Sequence, residues 1–322
     1  MAIAIKKFGQ YVLLQIHSED GALVFETDSL KIDFDVRSMA GWERGKFTLT
    51  NLNPETIKKI SDATNANYVT IKTSLHDSKL TALVDRMYIS NALEEVAVPH
   101  SLFNMYGYSK VRKNFLEKQI DIRVMAPSLA EMIGKAINDS GFSGGLEFKF
   151  FPDKKLFHVP AQPHARLQGS LLSVLEVLGE QFNFNVYTEG DKIIIMYKPD
   201  TKDVDDTDLF TGEADIILST DNMRSNPKIG PASLSIVSNL EPQIKPSSVL
   251  DISKLLTIGT NVSEETLKIT ESYLKAKVAG NSKYQVLSTQ HKGSNWSGDW
   301  TTQAVALSPT QGTTMSSSKW WA

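Results

Sequence analysis

Along roughly the first third of the chain, apolar and polar residues alternate with a period of two. Between Lys31 and Arg37, residues Ile32, Phe34 and Val36 fall on one side and Lys31, Asp33, Asp35 and Arg37 on the other, as in a strand with one buried face. The segments KFTLTNL and NYVTIKTSL repeat the pattern, with Phe47 and Leu49 inward in the first and Tyr68, or its neighbours Val69 and Ile71, in the second; both are rich in β-branched and aromatic residues. One helix interrupts the run: Asn53 is placed as an N-cap, Pro54 is pre-set for the first helical position, and Ile57, Ile60 and Ala63 recur at about helical spacing. Residues 1–110 are therefore expected to form a β domain with an inserted helix. A closed or nearly closed barrel is the preferred form because it hides the pairing edges of many short strands, while period counting leaves a sandwich open.

The period changes in residues 111–198. Ser128 followed by Glu131 is a capping-box pair, and Leu129, Met132, Ile133, Ala136 and Ile137 form one apolar stripe that Gly141 ends. A second helix from about Ser170 carries Leu171, Val174, Leu175, Leu178 and Phe182, then gives way to two extended runs around a Glu-Gly-Asp-Lys turn in FNFNVYTEGDKIIIMYK. These predict a compact α+β module. The acidic stretch PDTKDVDDTD has little to bury, and 199–206 is assigned as a linker. Strand patterns return over 207–308, a second β domain, with a helix expected from Val262 to Val278 on Leu267, Ile269, Tyr273, Leu274 and Val278. Residues 309–322 form a Ser/Thr-rich arm ending in Trp320 and Trp321. The expected fold class is α+β, mainly β: two similar barrel-like domains with inserted helices, joined by a small α+β module.

Composition narrows the function more than it defines it. An apolar share of 41% against 22% charged residues is that of a folded chain. A formal net charge of −3 offers no basic excess for a phosphate backbone or an anionic membrane surface, so no direct nucleic-acid contact is expected. With no cysteine, disulfides, thiolate metal sites and cysteine nucleophiles are excluded, and stability must come from packing or assembly. The N-terminal stretch is broken by Gly9, Gln10, Gln15 and His17 and has no small-residue cleavage site, so it does not read as a signal peptide. Nowhere do about 18 apolar residues run without interruption.

Catalytic motifs fail one after another. GWERGK, at Gly41 to Lys46, is one residue short of a phosphate-binding loop and is followed by Phe47 in place of Ser or Thr. His158 and His164 flank a proline-containing loop with no third ligand nearby in sequence, and the cluster Asp200, Asp203, Asp205, Asp206, Asp208 lacks the spacing that wraps a chain around calcium. His291, Asp299 and Trp300 in QHKGSNWSGDW would suit acid–base work beside a stacked sugar, but a β-hairpin with a Gly-rich loop is the favoured reading. No catalytic, cofactor-binding or metal-binding residue is assigned. Interaction roles fall to Ile57 and Ile60 on the inserted helix and to Trp320 and Trp321, two large side chains hard to bury from a Ser/Thr-rich tail.

Three segments then carry a resemblance. KFTLTNLNPET, where a strand runs into Asn-Leu-x-Pro and a short helix, the segment RLQGSLLSVLEVLGEQFNFNVYTEGDKIIIM, and YQVLSTQHKGSNWSGDWTTQAVAL follow one another in an order that resembles the central baseplate hub proteins of contractile-tailed bacteriophages and the hub portion of type VI secretion spike proteins. The likeness covers about residues 28 to 308. It departs from the family at the loop PHSLFNMYGYSK, residues 99 to 110, where a strand and an easily recognised glycine turn belong, and in the last 14 residues. The resemblance implies a non-enzymatic virion protein of the tail baseplate, assembled in the host cytoplasm and active in DNA ejection. It further implies a homotrimer whose paired domains make a ring of six quasi-equivalent units, joining tail tube or tube-initiator proteins to the spike. The alternative is a peptidoglycan- or carbohydrate-active tail enzyme. A periplasmic or secretion-channel assembly module is a third reading, drawn from the helix-strand-strand unit at 170–197, and the absence of a signal-peptide pattern argues against it.

Overall fold

The structure is a computed structural model and describes residues 10–40, 42–61, 68–75, 79–97, 99–124, 128–149, 165–189, 192–197, 214–229, 233–255, 282–298 and 300–307. Seven strands and one helix come first: β1 (Gln10–His17), β2 (Leu23–Thr27), β3 (Lys31–Met39), β4 (Trp42–Thr50), α1 (Pro54–Ser61), β5 (Tyr68–Leu75), β6 (Thr81–Ala97) and β7 (His100–Tyr108). The middle holds α2 (Lys110–Glu117), β8 (Gln119–Val124), α3 (Leu129–Asp139), β9 (Gly145–Lys149), β10 (Ala165–Ser170), α4 (Leu171–Phe182), β11 (Phe184–Glu189) and β12 (Lys192–Tyr197). The last part has β13 (Ile216–Ile217), β14 (Lys228–Ile229), β15 (Ser233–Asn239), β16 (Val249–Asp251), β17 (Lys283–Ser294) and β18 (Thr301–Leu307).

The chain is mainly β, as the alternation predicts, but the expected closed barrels are not found. One 13-stranded sheet runs β14-β15-β18-β17-β3-β4-β7-β6-β5-β1-β2, with β16 on β17 and β13 on β16, and among the described residues its path stays open. The physical reason is the seam between its halves. The second part of β17, Ser288 to Ser294, pairs antiparallel with Met39 to Asp33 of β3, so an edge that could close one half is spent on the other. The residues 99–110, expected to depart from a strand, contain the nine-residue β7. Phe103, Asn104 and Met105 are buried in succession, because the polar face is covered too at Asn104, whose side-chain oxygen accepts from Thr48 Oγ1 at 2.8 Å. Three buried residues in a row erase the alternation.

Three cores follow. The first gathers Leu14, Ile16, Ile32, Phe47, Leu49, Ile71 and Met105 from β1 to β7. The second lies under β15 to β18 with Leu234, Ile236, Leu250 and Val286. The third belongs to the middle module, where the predicted stripe of α3 is wholly buried and packs with Leu171, Val174, Leu175 and Leu178 of α4. Both helices start as the sequence indicates: Ser128 and Ser170 accept from the backbone N–H of Glu131 and Ser173. Asn183 closes α4 in the left-handed region, at φ 60°.

Candidate functional site

Ile57 and Ile60 lie where the helical spacing puts them. Asn53 Oδ1 accepts from Glu55 N at 2.8 Å and α1 begins at Pro54. Ile60 is 3% exposed and Ile57 packs against the same first core. Ile60 is thus a packing residue of the first core and not an exposed contact. Trp320, Trp321, His158, His164, Asp299, the acidic linker and the helix expected at Val262–Val278 lie outside the described residues.

The segment weighed as a sugar site is a hairpin, β17–β18, with its chemistry turned inward. Trp300 is 2% exposed; its indole N–H donates to the Ser294 carbonyl at 2.6 Å and its ring meets Phe34 edge-on at 6.3 Å. A ring so enclosed has no face to offer a ligand. His291 is buried, with Nδ1 2.9 Å from Thr302 Oγ1. Burial pushes its pKa down to about 4, with a hydrogen bond to the Ile244 backbone acting the other way, so the imidazole is neutral near pH 7. Trp42 to Lys46 of this segment open β4, where pairing with β3 and β7 occupies the backbone that a phosphate loop would need free. Among the described residues no group of three potential metal ligands comes together, and no helix is long and apolar enough to cross a membrane.

What the fold does build is a bonded seam between the two halves of the sheet. On its polar face Asp35 of β3 accepts from Gln290 Nε2 at 2.8 and 3.0 Å, from Arg37 at 3.2 Å, and lies 3.8 Å from Lys292 Nζ. Where the strands end, Asn295 continues the pairing with its side chain, accepting from Ile32 N at 2.8 Å and donating to the Leu30 carbonyl at 2.6 Å. Gly293 is required opposite Phe34, since a Cβ there would sit 2.4 Å from the ring. Sequence reading missed Asp35, Gln290 and Asn295: each looks like an ordinary polar position, and only the pairing of β3 with β17, some 250 residues apart, makes them partners.

The middle module docks on both halves. Tyr187, Ile194 and Met196 pack against Ala40 and Leu287. Beside them Lys245 Nζ donates to Glu189 Oε1 at 2.7 Å and Lys149 Nζ to Ser247 Oγ at 3.3 Å. Glu43, which accepts from Ser38 Oγ at 3.3 Å, is pushed up to about 7 by burial, with Lys245 opposing and Glu189 adding. A row of tyrosines, Tyr68, Tyr88 and Tyr108, crosses β5, β6 and β7 with centroids 5.9 and 5.3 Å apart. Lys110 and Lys113 of α2 lie 5.8 and 4.4 Å from the first two rings.

No family model and no curated protein matches the chain. Solved structures do. The tail protein from Neisseria meningitidis MC58 aligns with 94% of this chain and 97% of its own at a TM-score of 0.56 and 8% identity. The 43 kDa tail protein of prophage MuSo2 from Shewanella oneidensis aligns over 93% and 97%, with a TM-score of 0.53 and 8% identity. The E. coli c3393 protein, a component of the type VI secretion system described as similar to the T4 bacteriophage tail proteins gp27 and gp5, aligns over 91% and 75%, with a TM-score of 0.52 and 9% identity. At such identities the likeness is one of fold, and over nearly its whole length this chain has a fold that these two tail proteins share with a component of the type VI secretion system.

Proposed function

We propose that the chain is the central hub of a contractile tail baseplate: a homotrimeric ring with pseudo-sixfold symmetry that connects the tail tube to the membrane-piercing spike. The observation that carries this reading is a repetition inside the chain. The strand order β3-β4-β7-β6-β5 in the first half is the order β14-β15-β18-β17-β16 in the second, and β4 and β15 run into Asn51-Leu52-Asn53-Pro54 and Asn239-Leu240-Glu241-Pro242. A chain that holds one unit twice meets a threefold partner through the trimer and a sixfold partner through its six units. The domains proposed are 1–110 and 207–308, with 111–198 between them.

The coarser conclusion, a structural role in a tail, draws on the fold shared with tail proteins along the whole chain. The test is mass in solution by light scattering. A species near three times 35.7 kDa that captures a tail spike supports the hub, and a monomer at all concentrations sinks it. Residues 309–322 are proposed as a docking arm anchored by Trp320 and Trp321; deleting them should leave the subunit folded and weaken its hold on a neighbour or the spike, and unchanged attachment would remove the arm from the scheme. The rival enzymatic reading loses Trp300 and His291 to the core, and glycan hydrolysis by the purified chain would revive it.

A further inference from the structure

In the second half of the repeat, the far end of β17 is covered: Ser288 to Ser294 accept β3 along one edge while β18 holds the other. In the first half, the counterpart of β17 is β6. Its first part, up to Tyr88, pairs with β5, and from Tyr88 to Ala97 it pairs with β7. Beyond Tyr88 the edge opposite β7 has no strand partner among the described residues. Both strands carry a bulge near the change of partner, between Ile89 and Asn91 in β6 and between Val286 and Ser288 in β17. The two ends differ in exposure as a covered and an uncovered edge should: Leu93 and Val96 of β6 are 52% and 77% exposed, while Gln290, the counterpart of Leu93, is 8% exposed.

The repeat also says what belongs on that edge. The counterpart of β3 is β14, the terminal strand of the sheet path. We propose that the outer edge of β6 in one copy of this chain accepts β14 of a second copy, head to tail, with Glu95 opposite Lys228. This rests on the hub reading and names the contact that reading requires.

The register follows from the pairings. Met105 and Ala304 are equivalent inward positions, opposite Phe47 and Ile236 on one side and Ala92 and Thr289 on the other. Counting from them, Glu95 takes the place of Lys292. Phe34 pairs with Phe47, and Lys228 with Ser235, so Lys228 takes the place of Asp35. Within the chain Lys292 faces Asp35 across the seam, 3.8 Å apart. Between copies the same two places hold Glu95 and Lys228, a complementary pair with the charges exchanged. The next places agree in shape: Gly293 faces the bulk of Phe34 inside the chain, and Val96 would face the smaller Pro227 between copies. Joining an open strand edge to a sheet is a common way for chains to associate, and a head-to-tail contact generates a ring when its rotation closes.

The chain has no cysteine, which makes the test direct. Full-length protein carrying Glu95→Cys and Lys228→Cys together should oxidise to covalent multimers on a non-reducing gel, as should a mixture of the two single variants to covalent dimers, while each single variant alone stays monomeric there. Glu95→Lys should weaken association by about tenfold, as expected when an attractive cross-strand pair becomes a repulsive one, and adding Lys228→Glu in the same chain should restore it. An unchanged multimer with no cross-link in the double variant would overturn this contact and leave the hub reading standing. A native chain that is monomeric at every concentration would remove both.

Discussion

Replacing His291 with Gln should remove a specific dependence of stability on acid. The imidazole is buried with Thr302 on one side, and burial, aided by the charge of Lys245, holds its pKa down to about 4. In the unfolded chain the ordinary value is 6.5. Between pH 6.5 and about 4 the unfolded state therefore takes up a proton that the folded state refuses. The unfolded state binds more protons in that window, so folded stability falls as pH falls through it, and neither above nor below the window does this group contribute further slope. At about 1.4 kcal/mol per pH unit, the window amounts to roughly 3 kcal/mol, a large share of a typical stability of about 5–15 kcal/mol.

Glu43 acts in the opposite direction. Its folded value is raised to about 7 from 4.5, so its contribution is present below pH 4.5 and is lost as pH rises through 7. The raw pH profile of the wild type thus mixes two slopes that partly cancel. The measurement is a difference: urea unfolding of wild type and His291→Gln at half-unit steps from pH 4 to 8, by circular dichroism. The gap between the two curves should be constant above pH 6.5 and should shift in favour of the variant by roughly 3 kcal/mol on going down to pH 4. Parallel curves across the whole range would refute a buried neutral imidazole.

Further outcomes can be checked on the same material. Ile60→Asp puts a carboxylate into the first core and should cost about 3 kcal/mol or more, whereas Lys58→Asp on the exposed side of α1 should stay within about 0.5 kcal/mol in urea midpoints; equal effects would remove Ile60 from the core. Asn295→Ala leaves the Ile32 N–H and the Leu30 carbonyl without their buried partner and should cost about 2–3 kcal/mol by the same measure. A silent variant would show that water or a neighbour fills the gap.

How far the sequence could be read depended on whether one face of an element stays wet. In β3, β15 and β18 alternate residues are buried and the period of two is clean; in α3 and α4 one stripe is buried and the helical period is equally plain. β5 was ambiguous because Tyr68, Val69, Thr70 and Ile71 are all buried next to register shifts, and β7 was missed where Phe103 to Met105 are covered on both faces. The repetition could be seen as two β regions, but the seam could not. It is made by residues near position 35 meeting residues near position 290, and no local pattern announces that two strands so far apart share an edge. Closed barrels are not found among the described residues, and the pairing of β3 with β17 is where the two β regions run into one sheet.

The exchanged charges at the two kinds of junction have a consequence for assembly order. Within one chain β3 belongs on β17, and between chains β14 belongs on β6. All four edges belong to strands at matching places of the two strand orders, so the two wrong pairings, β3 on a neighbour's β6 and β14 on a neighbour's β17, are the closest competitors to the proposed contact. With the charges as they stand, the first would set Asp35 against Glu95 and the second Lys228 against Lys292, in the same register that sets Lys292 against Asp35 in the chain. Like charges directly opposite on neighbouring strands are destabilising, so the arrangement favours correct pairing by penalising the alternatives. Exchanging the seam pair, Asp35→Lys with Lys292→Glu, tests this. The seam keeps an opposite-charge pair, but both wrong pairings become complementary: Lys at 35 against Glu95, and Lys228 against Glu at 292. The exchanged chain gives up the bonds of Asp35 to Gln290 and Arg37 and should melt lower than the wild type; at a temperature where both are folded it should assemble less uniformly, giving a broadened mass distribution by native mass spectrometry with open or larger species beside the proposed trimer. Wild-type-like uniformity in the exchanged chain would mean that covalent connection and packing of the seam, rather than charge, select which edges meet.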